Sequence, residues 1–116
     1  MRKYSIKNTR INGEVQRELS RIISREIKDP RIAPMTSVVD AVVTSDLKQC
    51  KVYISVLGDQ EAKDQTMEGL NSAVGYIRRE LAHSINLRNT PEITFILDDS
   101  IEYGVEMSKK IDELNR

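Results

Sequence analysis

Arg10, Arg17, Arg21 and Arg25 fall on one side of a helical wheel, with Glu14 among them. Arginine's planar fork meets phosphate oxygens two at a time and stacks on bases, so such a ridge can hold nucleic acid. It can equally be a solvated face on which arginines pair with Glu14 or Glu18 at helical spacing. The charge pattern sharpens the question. Formal net charge is zero, yet residues 1–35 sum to +5, 36–69 to −3, 70–90 to +2 and 91–116 to −4. A chain with basic and acidic blocks can present one positive face despite a neutral total.

Catalytic chemistry finds few candidates. There is no His/Cys cluster with metal spacing, no G-x-x-x-x-G-K loop and no G-x-G-x-x-G. The glycines stand apart at 13, 58, 69, 75 and 104. Asp98, Asp99 and Glu102 could hold a cation, but Asp99 with Glu102 reads better as a capping box. His83, on a helix beside Arg78 and Arg79, could stack on a base, touch a phosphate or stand idle in water. Cys50 is the sole cysteine, so no internal disulfide can form, and its strand position suits a small buried hydrophobe. No catalytic residue, metal or cofactor is expected.

Positioning falls to a chain of 116 residues, 39% apolar and 31% charged, enough for one domain. No apolar run reaches a membrane span, and no apolar segment follows Met1-Arg2-Lys3-Tyr4-Ser5 as in a secretory signal. A soluble cytoplasmic protein is expected. Residues 1–8 read as a flexible basic arm. Ile11, Val15, Leu19, Ile22, Ile23 and Ile27 mark an amphipathic helix, ended by Lys28-Asp29-Pro30. Two strands follow, Thr36 to Thr44 and Cys50 to Leu57, as a hairpin around Ser45-Asp46-Leu47-Lys48. From Gln60 the pattern is helical again. Leu70, Ala73, Ile77 and Leu81 carry the apolar stripe straight through Gly75, where glycine costs roughly 1 kcal/mol against alanine. A kink at Ala73-Val74-Gly75 is expected, with Gly75 bending the helix and Ala73 allowing close packing. Ile93, Phe95 and Leu97 make a third strand. A last helix spans 99–116, with Met107, Ile111 and Leu114 inward. The order α-β-β-α-kink-α-β-α predicts an α+β, two-layer domain with helices on one face of a three-stranded sheet.

That order is the one found in a type II KH domain, whose GxxG loop clamps a single strand. GxxG is absent here, and Ala73-Val74-Gly75 stands in its place. The replacement resembles the ribosome-binding factor A family of bacterial ribosome assembly proteins. So do, in order, 26-EIKDPRI-32, 45-SDL-47, 51-KVYISVLG-58, 77-IRREL-81, 91-PEITF-95 and 98-DDSIEYGVEMS-108. The resemblance covers about residues 5–112. It implies a non-enzymatic, late-acting factor that binds precursor 16S ribosomal RNA within free 30S subunits or their precursors. It also implies a role in rRNA processing and cold adaptation. The sequence departs from some members in ending at Arg116 after an acidic stretch, where they carry a long basic tail. The expected RNA-binding surface comprises Arg10, Arg17, Arg21, Arg25, Lys28, Arg31, Arg78, Arg79 and Arg88, gathered by the bend. Aromatic residues are only 4% of the chain, so shape and charge are expected to dominate over base stacking. No membrane and no small-molecule substrate is expected, and the chain should be a monomer. The alternatives are a general single-stranded RNA-binding module, or an adaptor whose ridge meets an acidic protein.

Overall fold

Periodicity becomes packing first in helix α1, Thr9–Arg25. Val15, Leu19, Ile22 and Ile23 are buried along one side. The helix ends three residues short of Lys28, because Glu26 and Ile27 both donate to the Ile22 carbonyl (2.9 and 3.2 Å). That tightened turn folds Ile27 back against the core. The computed structural model describes residues 9–87 and 89–98. The expectations for the arm at 1–8, for Arg88 and for the helix at 99–116 lie outside the described residues.

Strands β1 (Thr36–Val43) and β2 (Gln49–Val56) pair antiparallel, from Thr36 opposite Val56 to Val43 opposite Cys50. Asp46 holds the turn between them: its carboxylate accepts from the Thr44 hydroxyl (2.7 Å) and from the Lys48 N–H (3.0 Å). Helices α2 (Gln60–Ser72) and α3 (Val74–Ser84) form the crossover to β3 (Glu92–Leu97). β3 lies parallel to β2, so the sheet order is β1-β2-β3. Asp59 caps α2 by accepting from the Ala62 N–H at 2.8 Å, as aspartate does at an N-cap. The fold is α+β, and the described elements follow the expected order.

Strict alternation along β1 would send Asp40 to the helix side behind Val38. Asp40 is indeed buried there, lining a small cavity with Asn12, Gly13 and Gln16 of α1, and a bulge lies between Val38 and Asp40. It returns Ala41 and Val43 to the core, where both are buried. One extra residue shifts the pleat by one, which reverses the faces beyond it. Helix α1 holds the bulge: the Gln16 amide donates to the carbonyls of Val38 (3.3 Å) and Val39 (3.2 Å). One turn earlier, Asn12 accepts from the Val43 N–H at 2.9 Å. These contacts cover the outer edge of β1 and set the position of the helix that bears the arginine ridge. No helix among the described residues is long and apolar enough to cross a membrane.

Candidate nucleic-acid interface

At 100° per residue, Arg10, Arg17, Arg21 and Arg25 fall within an arc of about 80° on α1. That arc borders α3. The Tyr76 hydroxyl donates to the Glu26 carboxylate at 3.4 Å, and the Arg21 guanidinium donates to the Ser84 hydroxyl at 2.9 Å. The two helices are therefore antiparallel neighbours. The end of α1 lies beside the first turn of α3, and the middle of α1 beside its end. Near Arg17, the helices leave a groove of about 290 Å³ bordered by Glu14, Glu18, Ser84, Ile85 and Asn86.

The expected cations divide into two kinds. Arg31 is consumed locally. Its fork holds Asp29 through Nε to Oδ1 (3.0 Å) and Nη2 to Oδ2 (2.7 Å), and Nη1 reaches Glu68 at 3.2 Å. Those hydrogen bonds bring the Asp29 carboxyl down to about 2. Arg21 is committed to Glu18 (2.8 Å), Glu26 (3.2 Å) and Ser84, and the Glu18 hydrogen bond pushes its pKa up. Arg78 points along the other flank of α3, donating to the carbonyls of Pro91 (3.0 Å) and Thr90 (3.2 Å). It fastens the approach to β3, and the structure separates it from the ridge it was expected to join. Among the described residues Arg10 pairs with Glu14, at 3.4 Å, and its side chain is almost wholly exposed. Pairs of that kind contribute only tenths of a kcal/mol. Arg17, Arg25, Lys28 and Arg79 are exposed. Among the described residues their side chains form neither a hydrogen bond nor an ion pair. Arg88 lies outside the described residues.

The helix interruption sits at Ala73, with φ −93° and ψ 2°. Helix α3 begins immediately after it, at Val74. Gly75 therefore does not make the break: it lies in the first turn of α3, and Gly58 is the glycine with positive φ among the described residues. Nor does Gly75 relieve crowding, since a Cβ built there meets nothing within 4 Å. Ala73 is the N-cap of α3 and offers no side-chain hydrogen bond to the first-turn amides. An uncapped helix start presents backbone N–H groups and the positive end of the helix dipole. Here Ala73 and Val74 are half-buried against the core, while Gly75, a residue without a side chain, is exposed beside the end of α1 and one turn before Arg79.

Tyr76, absent from the expected site, is 38% exposed on this turn. Partial burial and the Glu26 carboxylate raise its hydroxyl pKa. Its position directly after Gly75 and three residues before Arg79 was the signal available in the sequence. Cys50 is buried, and that burial pushes its thiol up to about 12. His83 is exposed in the last turn of α3.

Known proteins share both this sequence and this fold. The family model for Ribosome-binding factor A matches residues 7–111. Ribosome-binding factor A of Agathobacter rectalis is 70% identical over 116 residues, covering 100% of this chain and 96% of its own. A Thermotoga maritima protein described as a ribosome binding factor A, solved by NMR in solution, superposes with a TM-score of 0.71 at 27% identity. That match covers 83% of this chain and 91% of that one. The Thermus thermophilus ribosome binding factor A, a homology model fitted into a cryo-EM map of a 30S complex, superposes with a TM-score of 0.62 at 19% identity. It covers 76% of this chain and 91% of that chain. With the family's pattern running through nearly every described element, the chain belongs to the ribosome-binding factor A family.

Proposed function

We propose that this protein is a non-enzymatic assembly factor that binds the small ribosomal subunit or its precursors and assists late maturation and processing of 16S rRNA. It works as a monomer in the cytoplasm. The observation that carries the reading is the first turn of α3: exposed, uncapped, and built around a glycine for which the fold itself has no use. A residue without a side chain allows another backbone to come close, and the positive end of the helix dipole favours an anion. Arg79 follows one turn on along α3, Arg25 and Lys28 stand either side of the Glu26 that Tyr76 touches, and Arg17 continues the row along α1. Arg10 adds an exposed charge at its far end. Arg21 and Arg31 shape the surface through their partners, with their forks already engaged. A role without catalysis is supported by the Cys50 thiol, which is buried and held protonated. The family name and the 30S complex of the Thermus thermophilus protein favour the small subunit as the RNA target.

The test is cosedimentation with small subunits at rising salt. Neutralising four phosphates gives a fall in log affinity against log salt with a slope of roughly −3 to −4. A flat dependence overturns a phosphate-dominated interface. The double variant Arg25→Glu/Arg79→Glu loses subunit binding with its melting temperature unchanged; undiminished binding overturns the site.

A further inference from the structure

Asn12 carries a buried polar group that the fold leaves unanswered. The residue is 5% exposed. Its Oδ1 accepts from the Val43 N–H at 2.9 Å. That bond fixes which way the amide faces, since the reverse would set one N–H against another. Nδ2 is then left without a hydrogen-bond partner. A buried donor in that state costs stability unless something supplies an acceptor.

Asn12 lines a cavity of about 180 Å³ between the start of α1 and the bulge of β1, together with Thr9, Gly13, Gln16 and Asp40. A single water needs only about 15 Å³. The Gln16 amide is engaged at the Val38 and Val39 carbonyls. Asp40 is 6% exposed, and its Oδ1 accepts from the Ala41 N–H at 2.9 Å. A carboxylate has room for further donors. Arg17 stands at the rim: a Cβ built on Gly13 would lie 3.4 Å from Arg17 Nη1. The guanidinium therefore leans over the glycine, between this cavity and the groove beside α3.

These groups select by chemistry. Arg17 attracts an anion. Asn12 Nδ2 needs an acceptor. The Asp40 carboxylate needs a donor and repels a phosphate. A phosphate accepts but does not donate, whereas a hydroxyl does both through one oxygen. RNA carries such a hydroxyl at each 2′ position, beside its phosphate, and DNA does not.

Resting on the RNA reading above, we propose that this cavity is a ribose site. A 2′-hydroxyl accepts from Asn12 Nδ2 and donates to the Asp40 carboxylate, while the neighbouring phosphate meets Arg17. The seam of α1 and β1 thereby tells RNA from DNA without reading a base.

NMR titration of the full chain tests this at the Asn12 side-chain NH2 and the Arg17 Nε–H. The probe is one short mixed-sequence oligonucleotide, as RNA, as DNA and as 2′-fluoro RNA, which keeps the RNA sugar pucker without the hydroxyl. RNA moves both signals. The other two bind roughly fivefold more weakly and move Arg17 alone. Asn12→Asp keeps an acceptor for Val43 and removes the donor; Gly13→Met fills the rim. Each brings RNA affinity down to that of DNA. Gly13 lies outside the core, so Gly13→Met decides the matter even where a second carboxylate beside Asp40 unfolds the chain. Equal affinity for RNA and DNA overturns the ribose site. A 2′-fluoro form that binds like RNA does so too, since pucker is then what is read. An Asn12 signal that RNA leaves in place assigns the cavity to water. In all three cases an Arg17 signal that still responds keeps the phosphate-held reading intact. Silence at Arg17 as well removes that reading of the α1 row and the ribose site with it.

Discussion

Gly69 and Gly75 stand on either side of Ala73, in the last turns of α2 and the first turn of α3, and they serve opposite ends. A Cβ on Gly69 would sit 3.0 Å from the Ile32 side chain, 3.4 Å from Arg31 Cβ and 3.5 Å from the Asp29 carboxylate carbon. The loop after α1 is pressed onto α2 there. One turn earlier, the buried Thr66 hydroxyl accepts from the Ala33 N–H (3.0 Å) and donates to the Arg31 carbonyl (3.4 Å). Gly69 is therefore explained from inside the molecule. Gly75 meets nothing within 4 Å and has no positive φ. A glycine that the interior requires marks packing, whereas one that nothing inside requires points to what approaches from outside.

Substitutions at these positions put that difference to the test. Gly69→Leu forces the 29–32 loop away from α2 and destabilises the fold by about 2 kcal/mol. The readout is the urea midpoint, with small-subunit affinity of the folded fraction unchanged. Gly75→Ala does the reverse. Helix propensity stabilises the chain by about 0.5 kcal/mol, while subunit affinity falls roughly tenfold, about 1.4 kcal/mol. Calorimetry and cosedimentation together give the answer, and a drop in melting temperature would show that Gly75 has an internal partner after all. Thr66→Val keeps the shape but strands the Ala33 N–H and the Arg31 carbonyl, costing about 1 kcal/mol with no effect on binding. The smallest effect is one of pH. Asp29 has its pKa lowered from 3.8 to about 2 by Arg31. The stability from this contact is present above pH 3.8 and lost as pH falls through about 2. In Arg31→Ala the Asp29 carboxyl titrates higher, part of the way back toward 3.8, because the backbone N–H of residue 31 still donates to it (2.9 Å), as followed by NMR; an unmoved midpoint would assign the shift to another group.

The same contrast explains what could be read before any coordinates. Ile11, Val15, Leu19, Ile22 and Ile23 announce α1 because a buried helical face imposes its period on the sequence. Cys50, Val52, Ile54 and Val56 announce β2 because alternate residues share a sheet face, and all four are buried. The cations carry no such imprint. Arg25 and Arg31 look alike in sequence, yet one stands in solvent and the other grips Asp29 and Glu68. Arg78 and Arg79 are neighbours, yet 100° of helical turn sends Arg78 to the carbonyls before β3 while Arg79 remains exposed. The bulge at Val38–Asp40 was equally hidden, because a one-residue shift in pleat depends on what Gln16 reaches from another element.

Taken alone, the sequence determined the element types, their order, the apolar faces and the arginine row on α1. Each follows from short-range spacing: a helix repeats near every 3.6 residues and a strand every two. Only the tertiary structure decided which arginines are spent on neighbours, that the break falls at Ala73, and that Gly75 is left bare. Those outcomes depend on groups that meet across long stretches of chain, as Arg21 meets Ser84 and Arg31 meets Glu68. Where two such groups come together is set by packing, and local spacing does not encode it.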